Sequence, residues 1–136
     1  MTFKTTRRVE FRDTDAAGIV HFSAFFPMME AAEHEMLRSL GLKVIDRDNP
    51  DQVTWPRVSA QCDYLAPARF EDQLEISVSV AKLGNSSVQY QFDITRGEVA
   101  VARGRVTAVC CRLPEHGGLE KVTIPSPIRE LFAKHS

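Results

Sequence analysis

The chain of 136 residues carries 17 Lys and Arg against 18 Asp and Glu, a net charge of -1 at neutral pH. This length suits one domain, residues 1–136, and the balanced charge argues against a nucleic-acid-binding protein, which needs a basic face. The sequence contains neither a readable secretory signal nor an apolar run that could span a membrane, so we expect a cytoplasmic protein. The three cysteines have no metal-ligand spacing and favour reduced thiols.

The first part of the chain predicts a strand, a turn and a long helix. Residues 5–12 alternate between apolar and polar side chains, which is typical of a strand, and residues 13–18 form a turn. A helix is predicted from about residue 24 to residue 40, because apolar residues recur there at helical spacing. The residues of this stripe are Phe25, Met29, Ala32, Met36 and Leu40. We expect Glu33, His34 and Glu35 on the solvated face.

The rest of the chain predicts four strands and a short helix. Residues 42–54 read as a loop, and strand-like runs follow over residues 57–64, 72–83, 87–96 and 99–112. Residues 114–118 close the last strand, and residues 128–134 predict a terminal helix. Consecutive strands beside one apolar helix indicate an α+β domain, in which a sheet covers the apolar stripe of the helix.

Residues 13–22, Asp-Thr-Asp-Ala-Ala-Gly-Ile-Val-His-Phe, carry the residue types for chemistry. They place two carboxylates in a turn just before a helix, where backbone N–H groups lack partners and lie at the positive end of the helix dipole. Such a helix start can stabilise an oxyanion while a carboxylate attacks a carbonyl or activates water. The alternative is structural, because Asp and Gly are common in turns and acidic residues stabilise helix starts.

Residues 10–38 resemble the hotdog-fold acyl-CoA thioesterases of the 4-hydroxybenzoyl-CoA thioesterase type and their Tol-Pal-associated relatives. The motif at residues 13–20 carries the resemblance, and Tyr-Leu-Ala-Pro-Ala-Arg at residues 64–69 supports it. The resemblance implies a curved antiparallel sheet of about five strands that wraps around one long helix, with a short C-terminal helix. It also implies hydrolysis of an acyl-CoA to a free acid and coenzyme A.

The resemblance assigns roles to individual positions. Asp15 falls on the family's catalytic carboxylate, which acts as the nucleophile or as the general base on water. The backbone N–H near Phe22 would polarise the thioester carbonyl, and Gly18 would let the backbone approach the substrate closely. We expect His21 to line the acyl pocket and Asp13 to hold the loop through local hydrogen bonds.

The resemblance also bears on substrate contacts and assembly. We expect no metal or redox cofactor, since coenzyme A enters as part of the substrate. Candidates for substrate contacts beyond the motif are Ser59 on the second strand and three basic residues, Arg57, Arg69 and Lys82. The family's pocket lies between two subunits, which implies a homodimer and its assembly into a homotetramer. Glu30 is expected to contact buried backbone or the second subunit.

Two other functions are compatible with these residues. A hotdog hydratase or dehydratase would use His21 and Asp15 as an acid–base pair on an enoyl or hydroxyacyl thioester. The family pattern of that enzyme, a His followed directly by two glycines, is absent from the motif. A non-catalytic acyl-thioester binding module would keep the fold without turnover, and the presence of Asp15 argues against it.

Overall fold

A sheet of five antiparallel strands carries the long helix on one face in this computed structural model, which describes residues 1–46, 48–50, 52–114 and 117–136. The strand order is β1-β4-β5-β6-β3, and a second sheet has the order β2-β7-β8. The strands are β1 (Phe3–Arg8), β2 (Val53–Thr54), β3 (Arg57–Tyr64), β4 (Gln73–Leu83), β5 (Ser87–Arg96), β6 (Val99–Val109), β7 (Cys111–Arg112) and β8 (Glu120–Lys121). The helices are α1 (Phe25–Ser39) and α2 (Ser126–Ala133), and 3-10 turns span Phe11–Asp13 and Phe22–Ala24. This architecture confirms the α+β prediction.

The core lies between α1 and the inner face of the sheet. Every second residue of β4 from Leu74 to Val80 is buried, as the alternation predicts, and the facing residues of β5 are buried with them. The helix approaches β6 so closely at Gly104 that a Cβ there would lie 2.2 Å from Met29 Sδ. A residue without a side chain is therefore needed where helix and sheet meet.

The first predicted strand is too long at its C-terminal end. β1 ends at Arg8, and the chain then forms the 3-10 turn Phe11–Asp13. Asp13 causes this turn, because its Oδ2 accepts the Glu10 N–H at 2.8 Å while the Asp13 N–H donates to the Glu10 carbonyl at 3.0 Å. Asp13 thus holds the loop through local hydrogen bonds, as predicted.

The last predicted strand, residues 99–112, is divided at Cys110. The Cys110 N–H donates to the Ser86 carbonyl at 2.7 Å, and the following residues pair with β2 and β8. β2 and β8 were not predicted, because each contains two residues and shows no alternation. The predicted stop at residues 114–118 includes Glu115 and His116, which lie outside the described residues.

The two edge strands of the large sheet differ in character. β3 leaves its outer edge unpaired, and its residues are exposed apart from the half-buried Arg57 and Cys62. Val58 is 62% exposed, so apolar surface accompanies this open edge. β1 carries Lys4, Thr6 and Arg8 on its exposed positions, two of which are charged. Among the described residues, no helix is long and apolar enough to cross a membrane.

Candidate active site

A short β-hairpin presents Asp15 to solvent. Thr14 pairs with Val20, and the Asp15 N–H donates to the Ile19 carbonyl at 2.9 Å. The Asp15 carbonyl accepts the Gly18 N–H at 2.9 Å, and Gly18 has a φ of 79°. This is a tight turn that ends in a left-handed residue, which glycine adopts without strain. A Cβ on Gly18 would have no atom within 4 Å, so glycine is required here for its backbone conformation.

The Asp15 carboxylate is only partly engaged within the chain. Its Oδ1 accepts the Ala17 N–H at 2.8 Å, whereas no partner of Oδ2 occurs in the described part of the chain. The side chain is half-buried and borders a cavity of about 470 Å³. The hairpin therefore fixes one carboxylate oxygen and leaves the other available to a substrate or a water.

The helix entrance borders the same cavity. Phe22 is the first residue of the 3-10 turn that leads into α1, so its N–H has no carbonyl within that turn. Across the described residues, the Phe22 N–H donates to no other group. The structure thus brings a carboxylate and an unpaired backbone donor, from Asp15 and Phe22, to one cavity.

The cavity is largely apolar. The loop after β3 forms its far wall, and the Tyr64 hydroxyl donates to the Phe22 carbonyl at 2.9 Å. The lining residues are Asp15, Ile19, Val20, Phe22, Phe25, Tyr64, Leu65, Ala66, Pro67 and Ala68. An apolar cavity with few polar groups suits an acyl chain or ring whose reacting carbonyl lies beside Asp15.

His21 has a local structural contact rather than a place on the cavity wall. Its Nδ1 accepts the Ser23 N–H at 3.2 Å and lies 2.8 Å from the Ser23 hydroxyl, so the ring caps the 3-10 turn. Its ring also packs on Phe22, with 4.5 Å between centroids. In the described chain no hydrogen bond joins His21 to Asp15.

Arg57 forms a buried ion pair with the helix. Its Nη2 lies 2.7 Å from Glu33 Oε1 and 3.2 Å from Glu30 Oε2, and its Nη1 donates to Glu33 Oε2 at 3.0 Å. The expectation that Glu33 lies on the solvated face is wrong, because Glu33 is 2% exposed. Burial raises the pKa of Glu33, while the charge and hydrogen bonds of Arg57 act against that rise. The two residues are 24 positions apart, so helical spacing alone does not reveal the pair.

The other predicted contact residues lie away from the cavity wall. Ser59 is exposed and pairs with Thr107, on the opposite face of β3 from Ala60, and Lys82 is exposed on β4. Arg69 is exposed as well, but its backbone pairs with Ile19 of the cavity wall. Within a single chain the structure therefore unites Asp15 with Phe22 and leaves Ser59, Lys82 and Arg57 elsewhere.

Tyr64 is a site residue that the sequence analysis did not single out. It belongs to residues 64–69, which carried the second part of the family resemblance, and that patch could have directed attention to it. Metal-ligating side chains do not form a cluster in the described ranges, where no three His, Cys, Asp or Glu side chains converge.

Comparisons with known proteins agree with this fold. The model of the 4HBT Thioesterase superfamily matches residues 17–107, so the chain belongs to that family and is a thioester hydrolase. The match begins two residues after Asp15 and says nothing about that carboxylate.

Relatives and solved structures extend the similarity over nearly the whole chain. A 1,4-dihydroxy-2-naphthoyl-CoA hydrolase of Nostoc punctiforme is 34% identical over 110 residues, which cover 81% of this chain and 74% of that protein. The crystal structure of a 1,4-dihydroxy-2-naphthoyl-CoA thioesterase from Synechocystis has a TM-score of 0.86 at 28% identity, covering 98% of this chain and 96% of that one. A gentisyl-coenzyme A thioesterase has a TM-score of 0.84 at 28% identity, with 96% and 99% covered. The predicted hotdog fold is thereby confirmed.

Proposed function

We propose that this chain, acting through one domain of residues 1–136, hydrolyses an acyl-CoA to a free acid and coenzyme A, with Asp15 as the catalytic residue. One observation carries the proposal: Asp15, whose Oδ2 has no partner in the described chain, and Phe22, whose N–H is unpaired there, line the same apolar cavity. The proposal requires no metal or redox cofactor, since a carboxylate and a backbone donor supply the chemistry that thioester hydrolysis needs.

In the general-base route, Asp15 takes a proton from a water that attacks the thioester carbonyl carbon. The carbonyl oxygen becomes an oxyanion that accepts the Phe22 N–H. The C–S bond then breaks, the oxyanion re-forms the carbonyl, and the coenzyme A thiolate receives the proton that Asp15 held.

In the nucleophilic route, Asp15 Oδ2 attacks the same carbon and expels the thiolate, which leaves a mixed anhydride. Water then cleaves the anhydride, which releases the free acid and regenerates the Asp15 carboxylate, and the proton that the water gives up passes to the coenzyme A thiolate. Both routes use the same two groups.

The test follows thiol release from a panel of acyl-CoAs with a thiol reagent. We expect Asp15→Ala and Asp15→Asn to lower the rate at least about a hundredfold, because the base or nucleophile is lost. Asp93→Ala is the matched control, since Asp93 pairs with Arg103 on the outer face of the sheet. Full hydrolysis by Asp15→Ala would overturn the mechanism, and an absorbance change with crotonyl-CoA without thiol release would indicate a hydratase instead.

We further propose an aromatic acyl group as the substrate class. Three aromatic residues, Phe22, Phe25 and Tyr64, line the cavity. The relatives named above act on dihydroxynaphthoyl and gentisyl thioesters, which are aromatic. The same panel tests this proposal, because kcat/KM should be higher for aroyl-CoAs than for aliphatic acyl-CoAs of equal carbon number.

We propose a homodimer, itself assembling into a homotetramer, in which two β3 edges pair. The support is the unpaired, partly apolar edge of β3, which would otherwise remain open to any strand. Antiparallel pairing of β3 with a second copy sets the Tyr64 end of one strand beside the Arg57 end of the other. Arg57 and Ser59 of a second copy would then lie near this cavity.

The contacts to the phosphates of coenzyme A and the cellular location belong to the same proposal. Arg69 is our first choice for a phosphate contact, because its exposed side chain begins at a backbone position paired with Ile19 of the cavity. Lys82 is exposed on β4, away from the lining residues, and is our second choice. A cytoplasmic location is consistent with the three cysteines, which are free thiols.

A further inference from the structure

The Tyr64 hydroxyl links the end of β3 to the start of the helix entrance. It donates to the Phe22 carbonyl at 2.9 Å across 42 positions of sequence. The Tyr64 ring also packs against Phe25, with 5.7 Å between ring centroids and 47° between planes. One side chain of the sheet thus contacts two residues of the segment that supplies the unpaired N–H.

The remaining hydrogen bonds around Phe22 are local. The His21 N–H donates to the Asp13 carbonyl at 2.8 Å, and the Ala24 N–H donates to the His21 carbonyl at 2.9 Å. The Ser23 N–H donates to the His21 ring at 3.2 Å. Phe22 is 63% exposed, so packing of its ring contributes little to holding this residue. Local contacts shape the turn, and the Val20 N–H ties the preceding hairpin to the Ala68 carbonyl at 2.8 Å. Tyr64 is the side chain of the sheet that holds the Phe22 carbonyl itself.

We propose that Tyr64 is a positioning residue for the hydrolysis, which holds the backbone of Phe22 so that its N–H points at the thioester carbonyl beside Asp15. This inference rests on the proposed function. A preorganised donor stabilises the developing oxyanion because it needs no reorientation during the reaction. A displacement of the turn would lengthen the hydrogen bond to the oxyanion and lower the rate.

The Tyr64 hydroxyl acts through Phe22, whereas the Tyr64 ring lines the cavity. A tyrosine hydroxyl has one proton, and here that proton is donated to the Phe22 carbonyl. Burial and the neighbouring Cys62 raise the pKa of Tyr64. The hydroxyl therefore stays protonated near neutral pH, and its hydrogen bond to the Phe22 carbonyl persists there.

The first test compares Tyr64→Phe with the wild type in single turnovers of an acyl-CoA that the wild type hydrolyses. We expect the rate constant for thiol release to fall about 3- to 10-fold, the effect of one hydrogen bond, while KM changes less than about twofold. Tyr90→Phe is the matched control, because it removes the other tyrosine hydroxyl of the chain from the core. Equal rate constants for Tyr64→Phe and the wild type would overturn the inference.

The second test measures the C=O stretching frequency of the bound thioester. Benzoyl-CoA labelled with 13C at the thioester carbonyl is bound to Asp15→Asn and to the double variant Asp15→Asn/Tyr64→Phe. Hydrogen bonding to the Phe22 N–H lowers the C=O stretching frequency, and we expect a smaller lowering in the double variant. An identical frequency in both would overturn the role of Tyr64, whatever the stability of the variant. Activity retained by Asp15→Ala would instead overturn the proposed function, so the two failures are distinguishable.

Discussion

At the scale of single residues, the hairpin at residues 14–20 shows how backbone conformation sets the chemistry. Gly18 adopts a φ of 79° and thereby lets the Asp15 carbonyl and N–H both pair within the turn. The same turn supplies the Ala17 N–H that holds Asp15 Oδ1. The orientation of the carboxylate therefore depends on the backbone conformation of Gly18, beside which a Cβ would have no atom within 4 Å.

We predict that Gly18→Ala lowers both stability and activity. The left-handed conformation costs a residue with a Cβ about 1 kcal/mol, and the free space around Gly18 rules out a clash as the cause. Differential scanning calorimetry should show a melting temperature lower by about 4 °C, and thiol release should slow because Asp15 moves. Gly118→Ala is the control, since a Cβ there also has free space but no left-handed backbone is required. Equal melting temperatures for the two variants would contradict this explanation.

At the scale of elements, the Arg57 ion pair fastens β3 to α1. The Arg57 side chain is 29% exposed and that of Glu33 is 3% exposed, so water screens the pair little. When the pKa of an acid is higher in the folded than in the unfolded state, the free energy of unfolding of the protein falls as the pH rises through the folded-state pKa. Glu33 is such an acid, and Arg57 limits the rise of its pKa.

We predict that Arg57→Ala destabilises the protein more at high pH than at low pH. Removal of Arg57 leaves a buried carboxylate beside Glu30 without its partner, which costs about 3 kcal/mol while Glu33 is ionised. Arg57→Ala should lower the free energy of unfolding less near pH 5 than near pH 7.5, because the raised pKa lets Glu33 take up a proton. Urea unfolding at constant protein concentration measures both values.

Two further variants serve as a control and a rescue for the urea unfolding of Arg57→Ala. Arg103→Ala removes an exposed ion pair with Asp93, and we expect a change below about 0.5 kcal/mol at either pH. Glu33→Met combined with Arg57→Met should recover much of the lost stability, because no buried charge is left unpaired. A loss for Arg57→Ala that is equal at both pH values would contradict the assignment to Glu33.

The elements also show where sequence patterns lead to correct boundaries. The strands β3 and β5 match their predicted ranges, and β4 differs by one residue, since alternation and glycine turns are local signals. The first strand was predicted too long because Phe11 continues the apolar pattern while Asp13 imposes a turn. Local side-chain hydrogen bonding here outweighs periodicity.

At the scale of the whole molecule, the open edge of β3 is the surface through which we propose that copies assemble. Two chains of 15.3 kDa that pair through this edge would bury Val58 and extend the sheet across both copies. The site cavity lies at one end of this strand, so assembly and activity are expected to change together.

We predict that Val58→Lys shifts the protein toward monomers and lowers its activity per chain. A lysine on a strand edge opposes pairing because its charge would be buried between two copies. Val99→Lys is the control, since Val99 is also an exposed valine, 42% against 62% for Val58, but lies at the start of β6. Size-exclusion chromatography with light scattering gives the mass of each variant. A fully active monomeric wild type would contradict the proposed dimer.

The sequence by itself determined the order of the two helices and the five strands of the large sheet, and the position of Asp15 on a turn just before a helix. Both follow from local rules, namely side-chain periodicity and the turn preferences of Asp and Gly. The tertiary structure decided which distant residues meet: Tyr64 with the Phe22 carbonyl, and Arg57 with Glu33. Those contacts depend on the strand order, which places β3 at the sheet edge beside β6. The spacing of residues in the sequence does not predict the strand order, because the strand order arises from packing between residues far apart in the chain.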